Sequence, residues 1–209
     1  IDKLQEEDET CSQISTELVD QQQDSNFTIN TVTLNGSLVR NNLTIEVNGQ
    51  NCETNLNGAY ILNGSQHVDN HTIVDHKIAN CESNELYKGV IDGKATAVFN
   101  GKVFVRKDAQ KINAFQSNGN VLLSDDATIN SKPELEIYAD DVKCSHGSTS
   151  GAIDETALYY LRSRGVPLRQ AQSLLVQAFL AEAIGEIEDE ALAEDIRARL
   201  EGWLARHGQ

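Results

Sequence analysis

The groups in this 209-residue chain best suited to reactive chemistry are four cysteines and five histidines, whose thiolate and imidazole donors suit iron, copper or zinc. Spacing decides which of them could act together. Cys11, Cys52, Cys81 and Cys144 are widely separated with no C-x-x-C pair, which argues against a zinc ribbon or a thioredoxin-type redox motif. His67 and His71 would share a face on a helix, but the Asn and Gly around them oppose one; in a strand their even spacing only places them on one side. His71, His76 and Cys81 step by five residues and so alternate faces, as solvated or hydrogen-bonded side chains do. Cys144 and His146 differ, because they stand two apart at the end of the extended run Glu134 to Lys143 and can project from one face of the last strand. Two donors do not complete a tetrahedral site, so metal binding at Cys144 and His146 would need further donors, for instance from a partner chain meeting the same edge. The plainer alternative is a buried thiol and a hydrogen-bonded imidazole that close the strand.

Enzyme motifs are missing. There is no G-x-S-x-G elbow, no G-x-x-x-x-G-K-[ST] phosphate loop, no H-E-x-x-H, and no G-x-G-x-x-G opening a helix, so a non-enzyme is expected. A rival is a β-solenoid enzyme acting on polysaccharide, with Asp125, Asp126, Asp140 and Asp141 as its acids. Neighbours in a strand point to opposite faces, however, so each doublet reads as one structural and one solvated carboxylate. The formal net charge of −15 repels phosphate backbones and anionic lipid. No apolar run approaches the roughly 20 residues a bilayer demands, and Ile1 to Asp8 lack the apolar segment of a signal peptide. There is no Met, even at position 1, so the sequence is expected to begin inside a longer polypeptide. Five N-x-S/T triplets, at Asn26, Asn35, Asn42, Asn63 and Asn70, would suit a secreted adhesin, the third class considered. All 18 asparagines nevertheless fall between Asn26 and Asn130, where such enrichment makes triplets by chance; with few cysteines, a reducing, cytoplasmic setting is the expectation.

Three zones must position these residues. Residues 1–25 carry eight acids and one base, Lys3, and read as an acidic linker or a helix remnant. From 26 to 151, short β-branched stretches such as Thr28 to Leu34, Leu43 to Val47, Ala95 to Phe99 and Lys102 to Val105 alternate with Asn-Gly or Asp-Gly pairs, the pattern of strands and tight turns. Asn35-Gly36, Asn57-Gly58, Asn100-Gly101 and Asn118-Gly119 recur with a loose period of roughly 20 if the long gap from Gly58 to Asn100 counts as two coils. Short strands at a fixed period without intervening helices suggest a parallel β-helix, with an antiparallel sandwich as the alternative. Residues 152–209 form an α-helical module: Asp154 caps a first helix containing Ala157, Leu158 and Leu161 that ends at Gly165, and Pro167 suits the start of the second. In the second, Leu168, Ala171, Leu174, Leu175, Ala178 and Phe179 fall on one face; in the third, Leu192, Ile196, Leu200, Trp203 and Leu204 do. Such a module is expected to cap the last coil, with remaining apolar surface free for a partner.

Several stretches taken together resemble a known family: Lys88-Gly89-Val90, Ala97-Val98-Phe99-Asn100-Gly101, Ala109-Gln110-Lys111, Leu122 to Ala127, the run Lys132 to Gly147, and Leu158 to Gly165. They resemble the SufB/SufD family of iron-sulfur cluster assembly proteins over roughly residues 65 to 180. Where this chain has Cys144-Ser145-His146-Gly147, the SufB branch typically shows a Glu-His-Glu-Ala type stretch, so the likeness is to the other branch. The resemblance implies a right-handed parallel β-helix flanked by helical regions and a non-enzymatic scaffold role. It implies pairing with a SufB-like subunit through the β-helix, and with a SufC-like ATPase through C-terminal helices, with Leu158, Leu161, Leu174, Leu175 and Phe179 as docking candidates. No cofactor would be held tightly by this chain alone; an iron-sulfur cluster would be present transiently in the complex, with Cys144 and His146 at the interface and His146 the better candidate. The family's N-terminal helical region has no counterpart here, and residues 181–209 are only loosely similar. An unpaired β edge would also let the isolated chain self-associate.

Overall fold

The computed structural model describes residues 1–207, with side chains through residue 205; positions 208–209, the end of the expected helical module, lie outside the described residues. Eleven strands come first: β1 (Asp2–Glu6), β2 (Ser12–Gln21), β3 (Asn26–Asn35), β4 (Leu38–Val47), β5 (Glu53–Leu62), β6 (His67–His76), β7 (Glu82–Ile91), β8 (Thr96–Val105), β9 (Ile112–Leu122), β10 (Thr128–Ile137) and β11 (Val142–Gly151). Three helices follow: α1 (Glu155–Ser163), α2 (Leu168–Ile184) and α3 (Glu190–His207). Odd strands form one sheet in the order β1-β3-β5-β7-β9-β11, and even strands a second, in the order β10-β8-β6-β4-β2. Every pairing is parallel, so the chain winds as a solenoid of about five turns. Residues 1–25 are therefore neither linker nor helix remnant: Lys3, Asp2 and Glu6 belong to β1 and Glu17 and Asp20 to β2, with Glu7, Asp8, Glu9 and Asp24 in the joints of the first coil.

The coil is longer than the spacing of the Asn-Gly pairs implies. One lap carries the chain from Ser12 to its register partner Leu38, and a later, longer lap carries it from Thr96 to Thr128. Asn57-Gly58, Asn100-Gly101 and Asn118-Gly119 lie inside β5, β8 and β9, not at turns. Gly58 and Gly89 are required there because the rings of Tyr87 and Tyr60 lie across them, where any Cβ would collide. The true corners have left-handed backbone at Gly36, Gly64 and Gly93 on one side, and at Asp24, Asn51, Asn80 and Lys111 on another. Asparagine is abundant because its amides stack from coil to coil: Asn57 Nδ2 donates to Asn30 Oδ1 at 2.9 Å, Asn30 Nδ2 to Asp2 Oδ1 at 2.7 Å, and Asn84 Nδ2 to Asn55 Oδ1 at 3.3 Å.

Two apolar clusters hold the molecule. One fills the solenoid with inward residues of both sheets, including Ile45, Leu56, Val74, Ile91 and Phe99. The other lies outside, where Val32, Ala59, Ile61 and Val90 on the odd sheet meet Val176, Leu180 and Ile184 of α2 and Ile196, Leu200 and Trp203 of α3. Each Val, Leu or Ile among them contributes roughly 1.5–3 kcal/mol when fully buried. This placement corrects the expectation of a cap over the last coil: the helices lie against the side of the odd sheet, α2 over β5 and β7, because the apolar outward residues are there. The face of α2 is also rotated from the expected one. Ala171, Val176, Leu180, Ala183 and Ile184 are buried, whereas Leu168 and Leu174 are exposed. Apolar residues lie on more than one side of the helix, interspersed with Arg169, Gln170, Gln172, Ser173, Gln177 and Glu182, so its periodicity does not single out one stripe. Asp154 does cap α1, its Oδ1 accepting from the backbone N–H of Thr156 and Ala157 at 2.8 and 3.2 Å. Among the described residues no helix is long and apolar enough to cross a membrane.

Candidate functional site

Cys144 and His146 stand near the start of the solenoid's last strand, just past the corner at Asp140-Asp141, and not at the end of a run reaching back to Glu134. That corner is fastened by the N–H of Lys111 donating to the Asp141 carbonyl at 2.6 Å, and by the Asp141 N–H donating to Gln110 Oε1 at 2.9 Å. From there β11 follows β9 in register, so that Val142 lies over Ile112, Cys144 over Ala114, His146 over Gln116 and Ser148 over Asn118. Since Ile112, Ala114, Gln116 and Asn118 are all buried inward residues, the side chains above them share that direction. Both candidates are thus on one face, as their spacing requires.

They differ in accessibility. Val142 and Cys144 pack against the rim of the interior cluster, and burial pushes the Cys144 thiol up, with a hydrogen bond from the Ala114 backbone acting against it. His146 is exposed, because β11 is last in its sheet and no coil covers it among the described residues. Its edge leaves backbone N–H and C=O groups unpaired. A thiol held protonated is a poor ligand, whereas an exposed imidazole is open to a metal ion. The remainder of the strand is polar: Ser148 Oγ donates to Ser131 Oγ at 2.7 Å, and Ser131 Oγ to Asn118 Oδ1 at 2.8 Å.

Below His146 the inward positions carry a polar row that the sequence reading missed. Gln116 Nε2 donates to Glu85 Oε2 at 2.5 Å, and Thr72 Oγ1 donates to Glu85 Oε1. Glu85 is buried, and desolvation raises its carboxyl to about 7 against the pull of those two donors. Its only sequence signal is an acid at the same parity as Ser83, Tyr87 and Ile91, which is legible once the inward phase of β7 is known.

The other candidates separate. His67 and His71 lie on the outer face of β6, with His71 Nε2 2.7 Å from Asp69 Oδ1 and Asp69 Oδ2 paired with Arg40 at 2.8 Å. His76 faces inward; its Nε2 is 2.9 Å from Ser83 Oγ, and burial lowers it to about 4. Cys52 and Cys81 are buried beneath the corner at Asn51 and Asn80, both thiols donating to the Gly49 carbonyl at 3.4 and 3.3 Å. The cysteines are all free, and no group of three or more metal-binding side chains exists among the described residues. Asp125, Asp126, Asp140 and Asp141 are exposed in corners between strands. Of the docking candidates, Leu174 is exposed, Leu158, Leu161 and Leu175 are half-buried, and Phe179 is engaged within the chain, its ring 4.7 Å from Lys88 Nζ.

The family model described as SUF system FeS cluster assembly, SufBD core domain, matches residues 1–179. The chain belongs to the SufB/SufD family. It is 38% identical over 167 residues to the iron-sulfur cluster assembly protein SufD of Escherichia coli, covering 80% of this chain and 40% of that protein. It is 39% identical over 174 residues to an iron-sulfur cluster assembly SufBD family protein of Synechocystis, covering 83% and 38% respectively. A chloroplastic protein of Arabidopsis thaliana is 33% identical over 204 residues, 96% of this chain and 42% of its own length. The chain thus spans about two fifths of these relatives. Its likeness to the Escherichia coli SufD makes it SufD-like within that family.

Proposed function

We propose that this chain is the solenoid part of a non-catalytic scaffold subunit in cytoplasmic iron-sulfur cluster assembly. Its β11 edge meets a SufB-like subunit, and His146 contributes to a shared site at which the cluster, as cargo, is built. The observation that carries this reading is the exposed imidazole on an unpaired edge strand: a partner strand adding to β11 would satisfy the free backbone groups and bring its own donors beside His146. Cys144 takes the lesser part, because its half-buried thiol is held protonated. The same edge gives the isolated chain a route to self-association.

A SufC-like ATPase is proposed to dock on the helices through Tyr159, Tyr160, Leu168 and Leu174, which are exposed, and Leu158, Leu161 and Leu175, which are half-buried. Phe179 is not part of that surface, since it packs toward β7.

The test is reconstitution of the full-length subunit with its SufB-like and SufC-like partners. His146→Ala should leave folding and complex formation unchanged and lower cluster yield by roughly tenfold or more. Cys144→Ala should have the smaller effect. A normal yield from a folded His146→Ala complex would remove the imidazole from the site.

A further inference from the structure

The inward row that ends at His146 contains an unfilled hydrogen bond. Gln116 is 3% exposed, and its amide nitrogen is committed to Glu85 Oε2, yet its Oε1 is buried without a partner. Glu85 is anchored in turn through Thr72, so the amide is pinned from below with its carbonyl left over. Only the last coil lies beyond. On the even sheet, Gln116 rests against Gly101, and the residue in register over Gly101 is Pro133, which has no N–H to give. On the odd sheet the residue in register over Gln116 is His146, one strand spacing of about 4.8 Å away.

We propose that Gln116 is a positioning residue for His146: its Oε1 accepts the imidazole N–H, fixing the tautomer and turning the other ring nitrogen, with its lone pair, toward the open edge of β11. A neutral imidazole has one donor and one acceptor nitrogen, and the hydrogen bond made by the first decides which nitrogen remains free to bind. Glu85 acts one step further back by holding the amide in the orientation that points its carbonyl at the ring. This inference rests on the proposed role of His146, and it predicts a property of the isolated chain that does not involve cluster assembly.

The experiment is proton–nitrogen correlation through the imidazole couplings of ¹⁵N-histidine-labelled protein at a pH where the ring is neutral, with His146→Ala giving the assignment. One His146 tautomer should dominate in the native chain and in Glu85→Gln, which keeps an oxygen acceptor for Gln116 Nε2. Gln116→Leu should shift the tautomer ratio about fivefold toward that of free imidazole, the effect of losing one net hydrogen bond. The unchanged signal of buried His76 reports that the fold is intact; should Gln116→Leu not fold, Gln116→Met gives the same reading. A tautomer ratio unmoved in a folded Gln116 variant overturns the inference, even if His146→Ala abolishes cluster formation. A ratio that moves while His146→Ala gives normal cluster yield upholds the positioning and overturns the functional reading instead.

Discussion

Strands β5 and β11 belong to the same sheet and have the same length of ten residues, but β5 is paired on both edges, with β3 and β7, and β11 on one, with β9; β5 buries nearly every residue and β11 buries none. On β5, inward Leu56, Tyr60 and Leu62 fill the solenoid while outward Ala59 and Ile61 receive the helices. On β11, Ser, Thr and Gly fill both faces beyond His146. Two things separate the covered strand from the open one: β11 lacks a second neighbouring strand, and its alternate residues are polar. The helical module goes to the apolar side of the middle coils and leaves the polar final rung bare.

The contrast can be broken first by stability. Ile61→Ala should cost about 2–5 kcal/mol in chemical denaturation, the cost of a cavity beneath α2 and α3, whereas Thr149→Ala on β11 should stay within about 0.5 kcal/mol. Equal losses would mean that the final strand is no less integral than the middle ones.

The second test uses pH. Glu85 holds its proton more tightly folded, at about 7, than unfolded, near 4.5, so its contribution is complete below 4.5 and is lost as pH rises through 7. Relative to the native chain, Glu85→Gln should therefore gain on the order of 3 kcal/mol between pH 4.5 and pH 8. His76 acts in the opposite direction: its folded value of about 4 lies below the unfolded 6.5, so stability is full above 6.5 and falls toward 4. A His76→Gln variant should lose less stability than the native chain on acidification across that window. Denaturation midpoints in a pH series measure both slopes.

A smaller effect sharpens the seam between solenoid and helices. Lys88 on β7 pairs with Glu182 and lies over the Phe179 ring, so Lys88→Ala should weaken the attachment of α2 by about 1 kcal/mol, seen as faster amide exchange in α2 than in β5. Smallest of all in stability is Leu174→Glu, expected to stay within about 0.5 kcal/mol because the side chain is exposed, while weakening, on the proposed reading, the binding of a SufC-like ATPase in a titration. Unchanged binding would move the docking surface elsewhere.

How much of this was legible follows from which signals are local. Strand character, the helix start at Asp154 and the shared face of Cys144 and His146 depend on neighbours in sequence, and the sequence reading has them. The coil length does not. Asn57-Gly58 and Asn35-Gly36 look alike as dipeptides, but the first has its Gly beneath Tyr87, which arrives only with the next coil, and only the second makes a corner. The subset Gly36, Gly64 and Gly93 would have given the true repeat. The first coil was hidden for a related reason: of the inward positions of β2, Gln13, Ser15 and Glu17 are polar groups satisfied by Lys3, Gln5 and Asn41, Gln21 is polar too, and Val19 alone is apolar, so it lacks the apolar alternation that marks a strand. Glu85 and Gln116 were invisible as a pair because they become neighbours only when coils stack.

The lap from Ser12 to Leu38 is shorter than the lap from Thr96 to Thr128, while the strands from β2 onward keep ten or eleven residues, so the variation lies in the joints. The two-residue turn at 36–37 and the six-residue turn at 106–111 serve the same stack. A short peptide spliced into the longer joint would lengthen one lap of the winding without moving any rung beyond it. A single residue added within a rung would instead shift every side chain after it, up to the next joint, to the opposite wall.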